Sequence, residues 1–179
     1  TDKGDGKYTF TMPGSKVTVT ARFKQTDTGT ENPFTDISKN DYFYDAVLWA
    51  VEEGVTGGTG GGKFSPNAPC TRAQMVTFLW RASGSPEIGT ANPFSDVSSD
   101  AYYYDAVLWA AEQGITGGTG NGKFSPDGSC TRAQMVTFLW RVNGSPGIGT
   151  ANPFSDVSSD AYYYDAVLWA VEQGITGGT

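Results

Sequence analysis

Apolar and polar positions follow two helical patterns along the chain, and each pattern predicts a helix. Residues 103–113, YYDAVLWAAEQ, are apolar on nearly every helical face, which is typical of a buried helix. A second helix is predicted to begin near Thr131, because apolar side chains recur from there at i, i+3, i+4 and i+7. These side chains are Met135, Phe138, Leu139 and Val142. The segment between the two helices, TGGTGNGKFSPDG, is rich in turn-forming residues and predicts a loop.

Residues at the ends of these segments predict where the helices start and stop. Asp100 or Ser99 is the expected N-cap of the first helix. Gly114 followed by the apolar Ile115 predicts a Schellman ending. Within the loop, Asn121-Gly122 is typical of a two-residue hairpin turn.

The same pattern recurs along the chain. Residues 32–91 and 92–151 align without a gap, and residues 152–179 begin a third copy that differs from the second only at Val171 in place of Ala111. A long internal repeat predicts stacked units that share a core. We therefore expect a mainly α fold of tandem helix–loop–helix repeats. The third repeat is incomplete, and its single helix is expected to pack on the second repeat as a cap.

The first residues follow a different pattern. Apolar and polar side chains alternate on both sides of Pro13-Gly14, which predicts a short β-hairpin-like segment at residues 1–25. This segment resembles the end of a β-repeat of bacterial surface proteins. Residues 26–31 are polar and are predicted to form the linker to the repeats.

Composition narrows the range of functions. The net charge of −7 and the pI near 4.4 argue against nucleic acid as a partner, because its binding needs a basic surface. No apolar stretch approaches the roughly 20 residues of a membrane span, so no membrane insertion is expected. The chain contains no histidine, the commonest general base and metal ligand. We therefore predict no catalytic residue, no metal and no other cofactor.

The segment CTRAQMVTFLWR occurs unchanged at residues 70–81 and 130–141. Its Thr and Gln are spaced for a capping box, in which a hydroxyl and an amide satisfy free backbone N–H groups at the helix start. The predicted capping residues are Thr71, Gln74, Thr131 and Gln134. Capping does not explain the arginine that follows each Thr.

Arg72 and Arg132 occupy the first position of their predicted helices, where the helix dipole disfavours a cation. Free N–H groups at that position can bind an anion, and a guanidinium can grip a carboxylate with two N–H groups. We therefore expect both arginines to bind an anionic ligand, and the replacement of Arg132 to leave stability almost unchanged. The alternative is that Arg132 pairs with Asp96 or another acid of a neighbouring repeat.

Cys70 and Cys130 precede the two capping boxes at equivalent positions. One cysteine in each repeat is not the pattern of a disulfide framework. We expect both thiols to be reduced and largely buried, as apolar side chains beside Met75 and Met135.

Other residues have both a binding and a structural interpretation. GGTGNGKF at residues 117–124 has the frame of a phosphate-binding loop, but Phe124 takes the place of its Ser or Thr and a helix precedes it. Lys123 in this loop either reaches an anion or is solvated. Trp109 either stacks on a sugar or lies in the core. The aspartates of each repeat lack the spacing of a Ca²⁺ loop and are expected to act as caps.

The ordered motifs FSDV, AVLWAAEQGITGG, GKFSPDG and TRAQ resemble those of the S-layer homology family, over residues 32–179. The resemblance implies a spindle of repeats with a pseudo-threefold axis and ligand grooves between neighbouring repeats. It also implies that Arg72 and Arg132 contact the ligand. The chain departs from the family pattern where Gln replaces the Glu of TRAE and where Cys replaces an aliphatic residue before it.

Members of that family anchor surface proteins non-covalently to secondary cell-wall polysaccharides. The resemblance therefore implies an extracellular, non-catalytic module at the bacterial cell wall, with an acidic, for example pyruvylated, polysaccharide as its partner. The candidate ligand-binding residues are Arg72, Arg132, Lys63, Lys123, Trp49, Trp109, Asp96 and Asp156. The alternative is a structural or protein–protein interaction module with the arginines in inter-repeat salt bridges. The incomplete third repeat also allows self-association.

Overall fold

A computed structural model describes residues 31–178, in which the secondary structure is helical. The helices are α1 (Tyr44–Glu52), α2 (Arg72–Ala82), α3 (Tyr104–Glu112), α4 (Arg132–Val142) and α5 (Tyr164–Glu172). Each full repeat thus has two helices and the third has one, as the sequence predicts. None of the helices in the described part is long and apolar enough to cross a membrane. The predicted β-hairpin-like segment at residues 1–25, and the linker apart from Glu31, lie outside the described residues.

The first helix of a repeat starts later than the sequence suggested and without a side-chain cap. The N-cap of α3 is Tyr103, whose side chain makes no capping hydrogen bond. Asp100 instead accepts a hydrogen bond from the Ser98 hydroxyl, and the Tyr104 N–H donates to the Ala101 carbonyl at 2.9 Å. The expectation of a cap at Asp100 or Ser99 was therefore wrong, because this acid is engaged in the preceding turn.

The other end of α3 is the predicted Schellman motif. Gly114 has φ +67°, a left-handed conformation that glycine adopts without strain. Its N–H donates to the Ala111 carbonyl at 3.1 Å, and the Ile115 N–H donates to the Ala110 carbonyl at 2.8 Å. These bonds satisfy carbonyl groups that the last helical turn leaves free.

Packing joins the repeats in chain order. Helix α2 packs on α3, and α4 packs on α5, so the second helix of each full repeat covers the first helix of the next. Small residues at the contact, Ala106 and Ala110 in α3, are fully buried and allow close approach. The same holds for Ala166 and Ala170 in α5, which share a cluster with Val136 of α4. The prediction that a helix near residues 163–173 caps the second repeat is confirmed.

The Gly-rich loop is shaped by positive φ angles. Asn121 and Gly122 have φ +52° and +64°, and Gly120 bridges to Lys123 across them, as expected for the predicted hairpin turn. Gly118 has φ +83°, and a Cβ there would lie 2.3 Å from the Lys123 carbonyl oxygen and 2.7 Å from Cε1 of Phe94. Only glycine fits this position, because the turn and the Phe94 ring close around it.

Candidate functional site

The start of α2 has the predicted capping box. The Gln74 N–H donates to Thr71 Oγ1 at 3.2 Å, and the Thr71 N–H donates to Gln74 Oε1 at 2.9 Å. The same pair of hydrogen bonds forms at α4. The Gln134 N–H donates to Thr131 Oγ1 at 3.2 Å, and the Thr131 N–H donates to Gln134 Oε1 at 3.1 Å. Each box fixes the helix start and thereby the position of the arginine beside it.

The loop of the second repeat closes over the start of α2. The Arg72 N–H donates to the Gly128 carbonyl at 2.8 Å, and the Ala73 N–H donates to the Pro126 carbonyl at 3.0 Å. With the capping box, these bonds use the N–H groups that were expected to form an anion site at this helix start. That expectation was wrong for α2, because residues far along the chain supply the acceptors.

The side chain of Arg72 reaches across the boundary between the first two repeats. Its Nε donates to the Phe124 carbonyl at 2.9 Å, and its Nη2 donates to Thr116 Oγ1 at 3.5 Å. The guanidinium carbon lies 4.8 Å from the ring centroid of Phe124 and 5.5 Å from that of Phe138. The residue is only 4% exposed. Hydrogen bonds and aromatic faces thus hold the guanidinium in one orientation.

The charge of Arg72 has no carboxylate partner among its hydrogen bonds within residues 31–178. Desolvation lowers the pKa of Arg72, and the nearby Cys130, Tyr162 and Asp96 oppose that shift without reversing it. The inter-repeat salt bridge of the alternative interpretation is therefore not the contact that Arg72 makes. A buried cation without an anion is unfavourable, so this position suits an anionic ligand.

Arg132 has the same sequence context and a different environment. Its Nη2 donates to Thr176 Oγ1 at 3.4 Å, which repeats the contact of Arg72 with Thr116. The side chain is nevertheless exposed. Within residues 31–178, Arg132 has no equivalent of the hydrogen bond that Arg72 makes to the Phe124 carbonyl. The chain therefore brings together the full set of contacts around Arg72 and only part of that set around Arg132.

Asp96 holds the loop of its own repeat. Its two carboxylate oxygens accept hydrogen bonds from the N–H groups of Phe124 at 2.8 Å and Ser125 at 2.9 Å. Burial alone would raise the pKa of Asp96, but these bonds and the charge of Lys123 outweigh it, and the pKa is lowered. The expectation that Asp96 binds ligand or pairs with Arg132 is thus replaced by a structural role. Asp156, its counterpart, is exposed.

The two loop lysines lie on the surface. The side chains of Lys63 and Lys123 are exposed. Their backbone N–H groups close the hairpin turns by donating to the carbonyls of Gly60 at 3.1 Å and Gly120 at 3.0 Å. Lys123 directly precedes Phe124, whose carbonyl binds Arg72. The ammonium of Lys123 lies close enough to Asp96 for its charge to lower the pKa of that carboxyl.

The tryptophans at equivalent positions differ in exposure. Trp109 is 4% exposed and belongs to the main core cluster, so its assignment to ligand binding was wrong and its interpretation as a core residue holds. The cause is the cover that α2 provides over α3. Trp49 in α1 is 53% exposed, and its ring remains accessible to a ligand or a partner.

Three residues around Arg72 were not among the ligand-binding residues predicted from the sequence. Thr116 and Phe124 orient Arg72, and Tyr162 of the third repeat lies near enough to affect its pKa while remaining 62% exposed. The signal that could have found Thr116 and Phe124 is the recurrence of the loop motifs GITGG and GKFSP at fixed spacing. Tyr162 could not be found in this way, because its proximity depends on how the repeats pack.

The first repeat contains an open groove of about 650 Å³ formed by residues equivalent to those around Arg72. Thr56, Phe64 and Phe78 line it at the positions of Thr116, Phe124 and Phe138. Cys70, Gln74 and Tyr102 also contribute to its wall. Within residues 31–178 no group of three or more acidic, histidine or cysteine side chains is arranged to hold a metal ion.

Comparison with known proteins agrees with this geometry. The family model of the S-layer homology domain matches residues 33–76, 93–136 and 153–179, which are the three repeats. The chain is 32% identical over 149 residues to the surface-layer 125 kDa protein of Lysinibacillus sphaericus, covering 83% of this chain and 12% of that protein. It is 32% identical over 117 residues to a cell surface protein of Thermoanaerobacter kivui, covering 63% of this chain and 15% of that protein.

An enzyme is also among the relatives. An endoglucanase of Bacillus sp. (strain KSM-635) is 34% identical over 110 residues, which are 62% of this chain and 12% of the enzyme. The chain thus spans less than a fifth of the length of each of these three proteins. What they share with it is the repeated module, and by the match of that module in all three repeats this chain belongs to the S-layer homology domain family.

Proposed function

We propose that the chain anchors a surface protein non-covalently to the bacterial cell wall by binding an acidic secondary cell-wall polysaccharide at the boundary between the first two repeats, where Arg72 lies. Membership of the S-layer homology domain family assigns the module to the cell surface, in association with the cell wall. The polysaccharide and the residues that bind it are the proposal. A single observation carries it: Arg72 is a buried cation without a carboxylate partner among its hydrogen bonds in the described part of the chain.

The orientation of Arg72 suits a carboxylate. Nε and one N–H of Nη2 are used by Phe124 and Thr116, which fixes the plane of the guanidinium. Nη1 has no hydrogen-bond partner within residues 31–178, and no side-chain nitrogen or oxygen there is both buried and without a partner. Nη1 therefore keeps some contact with solvent, although Arg72 as a whole is only 4% exposed. A carboxylate placed there gains charge-assisted hydrogen bonds to a donor that is already oriented.

Neighbouring side chains supply the remaining contacts that a glycan needs. The exposed ring of Tyr162 can stack on a sugar face, and the ammonium of Lys123 adds a second positive charge on the loop that carries Phe124. A site of this kind combines one fixed cation, one mobile cation and one aromatic face. That combination supports non-covalent anchoring to an acidic polysaccharide.

Calorimetric titration with the polysaccharide released from cell walls tests this proposal. We expect binding to the native polymer and a loss of about 1–3 kcal/mol, or roughly 5- to 150-fold in Kd, when its carboxyl groups are reduced to alcohols. Arg72→Lys should weaken binding to the native polymer, because a point charge cannot replace the planar fork. Arg132→Lys is the matched control, since Arg132 is exposed and incompletely surrounded. Equal affinity for native and carboxyl-reduced polymer would exclude the proposed contact.

A specific observation also supports a second function, self-association. Trp49 is 53% exposed, although Trp109 and Trp169 at equivalent positions are 4% and 6% exposed under α2 and α4. A second copy of the chain that covers α1 in the same way would bury this ring. Sedimentation velocity should then show a dimer that dissociates on dilution and is weakened by Trp49→Ala. A monomer at every concentration would exclude this function.

A further inference from the structure

The segments that carry the two cysteines lie side by side. The Arg72 N–H donates to the Gly128 carbonyl at 2.8 Å, and the Cys130 N–H donates to the Cys70 carbonyl at 2.8 Å. These two bonds flank an antiparallel bridge between Thr71 and Ser129. The bridge sets the register, and one step along it places Cys70 directly opposite Cys130.

Residues opposite each other in an antiparallel pair have Cα atoms about 4.5–5.5 Å apart and side chains on the same face. A disulfide requires Cα atoms about 4.4–6.8 Å apart, so this register brings the two cysteines within the Cα range of a disulfide. Both side chains pack against the same core cluster, and both cysteines are free, as expected, but only half-buried, where deeper burial was expected. The expectation that they stay reduced followed from their spacing in the sequence, which does not show that the two segments pair. We propose that Cys70 and Cys130 form a reversible intramolecular disulfide that ties the start of α2 to the start of α4.

The environment of the thiols agrees with this register. Burial and the neighbouring Cys70 together raise the pKa of Cys130 to about 11, and Arg72 opposes this shift. Burial also raises the pKa of Cys70. A high pKa leaves little thiolate at neutral pH, so the oxidation is slow there and accelerates as the pH rises.

The oxidant is a small-molecule disulfide, which the half-buried thiols can meet at the surface. The Cys70 thiolate attacks one of its sulfurs, forming a mixed disulfide and releasing the first small thiol. The Cys130 thiolate then attacks Sγ of Cys70 and releases the second. The two protein thiols lose two electrons and two protons in total, and the small disulfide is reduced to two thiols. Disulfides persist in oxidising extracellular surroundings, which is where a cell-surface module operates.

The disulfide would hold together the boundary between the first two repeats, where Arg72 lies. Arg72 follows Cys70 by two residues, and Gly128, which accepts its N–H, precedes Cys130 by two. Opening of this boundary separates the same two segments that the disulfide joins. Reduced and oxidised forms should therefore differ in how readily the first two repeats separate.

The test is to equilibrate the intact chain with oxidised glutathione at pH 8.5 and to digest it with trypsin under non-reducing conditions. Cleavage after Lys63, Arg72, Lys123 and Arg132 releases peptides 64–72 and 124–132, each with one cysteine. We expect these peptides to be joined, both thiols to be lost from the folded monomer, and Tm to rise by about 10 °C relative to the reduced chain.

Cys70→Ser and Cys130→Ser are the matched controls, with folding checked by circular dichroism. Each should keep its single remaining thiol or carry one glutathione, and neither should show the rise in Tm. The proposal is overturned if both thiols stay free at equilibrium, if each binds glutathione without forming the linked peptides, or if the cysteines join separate chains.

Discussion

Nε of Arg72 donates to the carbonyl of Phe124 at 2.9 Å while the guanidinium lies 4.8 Å from the centroid of the same residue's ring. One residue of the second repeat thus binds the arginine of the first through both its backbone and its side chain. The sequence places these two residues in separate repeats and gives each a motif, but it does not show that they meet.

This contact predicts different roles for the two arginines in stability. Arg72→Ala removes two hydrogen bonds and a cation–π contact from a buried position, and we expect a loss of about 2–3 kcal/mol in the free energy of unfolding. Arg132→Ala should change it by less than about 0.5 kcal/mol, because the side chain is exposed and its one hydrogen bond is long. Urea denaturation of both variants measures the difference. Equal losses would contradict the asymmetry between the two sites.

The carboxylate of Asp96 should make stability depend on pH. Its pKa is lowered in the folded state, so it stabilises the fold above its unfolded pKa, near 3.9, and this contribution is lost as pH falls through the folded value. Asp96→Asn should cost about 1–2 kcal/mol at pH 7 and flatten the acid limb of a plot of unfolding free energy against pH.

Asp156→Asn is the matched control for Asp96. Asp156 has the same sequence context, and its carboxylate accepts no hydrogen bond from the N–H groups of the described residues. Its replacement should leave the pH profile unchanged. A profile that responds equally to both changes would show that the loop contacts of Asp96 are not the cause.

The exposed and buried tryptophans provide another matched pair. Trp109→Ala should cost about 3–5 kcal/mol, because it leaves a cavity in the core between α2 and α3. Trp49→Ala should cost about 1 kcal/mol or less, since half of the ring already faces water. Thermal or chemical denaturation of both variants checks this, and a comparable loss for Trp49 would mean that α1 is covered in solution.

The glycines of the loop allow a test of its backbone geometry. Gly118→Ala introduces a Cβ against the Lys123 carbonyl and the Phe94 ring at a positive φ, and should cost at least about 1–2 kcal/mol. Gly117→Ala meets nothing within 4 Å and has no positive φ, so it should be nearly neutral. Unfolding free energies for the two neighbouring variants measure the cost of the close approach at Gly118, and equal values would contradict it.

Most of the features that the sequence predicted correctly depend on neighbouring residues. The capping boxes, the Schellman ending at Gly114 and the turn at Asn121-Gly122 each depend on residues within a few positions of one another. The exposure of Trp49 and Trp109 could not be predicted in this way, because both lie in the sequence DAVLWA. What differs is the helix that packs on them, which is determined by the order of the repeats.

The candidate site could be predicted only in part, because some of its contacts join different repeats. The importance of Arg72 followed from its poor position on the helix dipole and from the resemblance. Its environment did not, because the acceptors of its backbone and side-chain N–H groups, Gly128 and Phe124, belong to another repeat. Asp96 was misassigned because a carboxylate that binds two loop amides has no local sequence signal to distinguish it from a ligand-binding acid.

The most direct test of the account is co-sedimentation of the chain with purified cell walls, before and after extraction of their non-peptidoglycan polymer. The account predicts that the chain sediments with intact walls, stays in solution with extracted walls, and is released from intact walls about tenfold more readily when Arg72 is replaced by Lys in a variant that remains folded. Sedimentation that is equal for intact and extracted walls, or unchanged by Arg72→Lys, would contradict it.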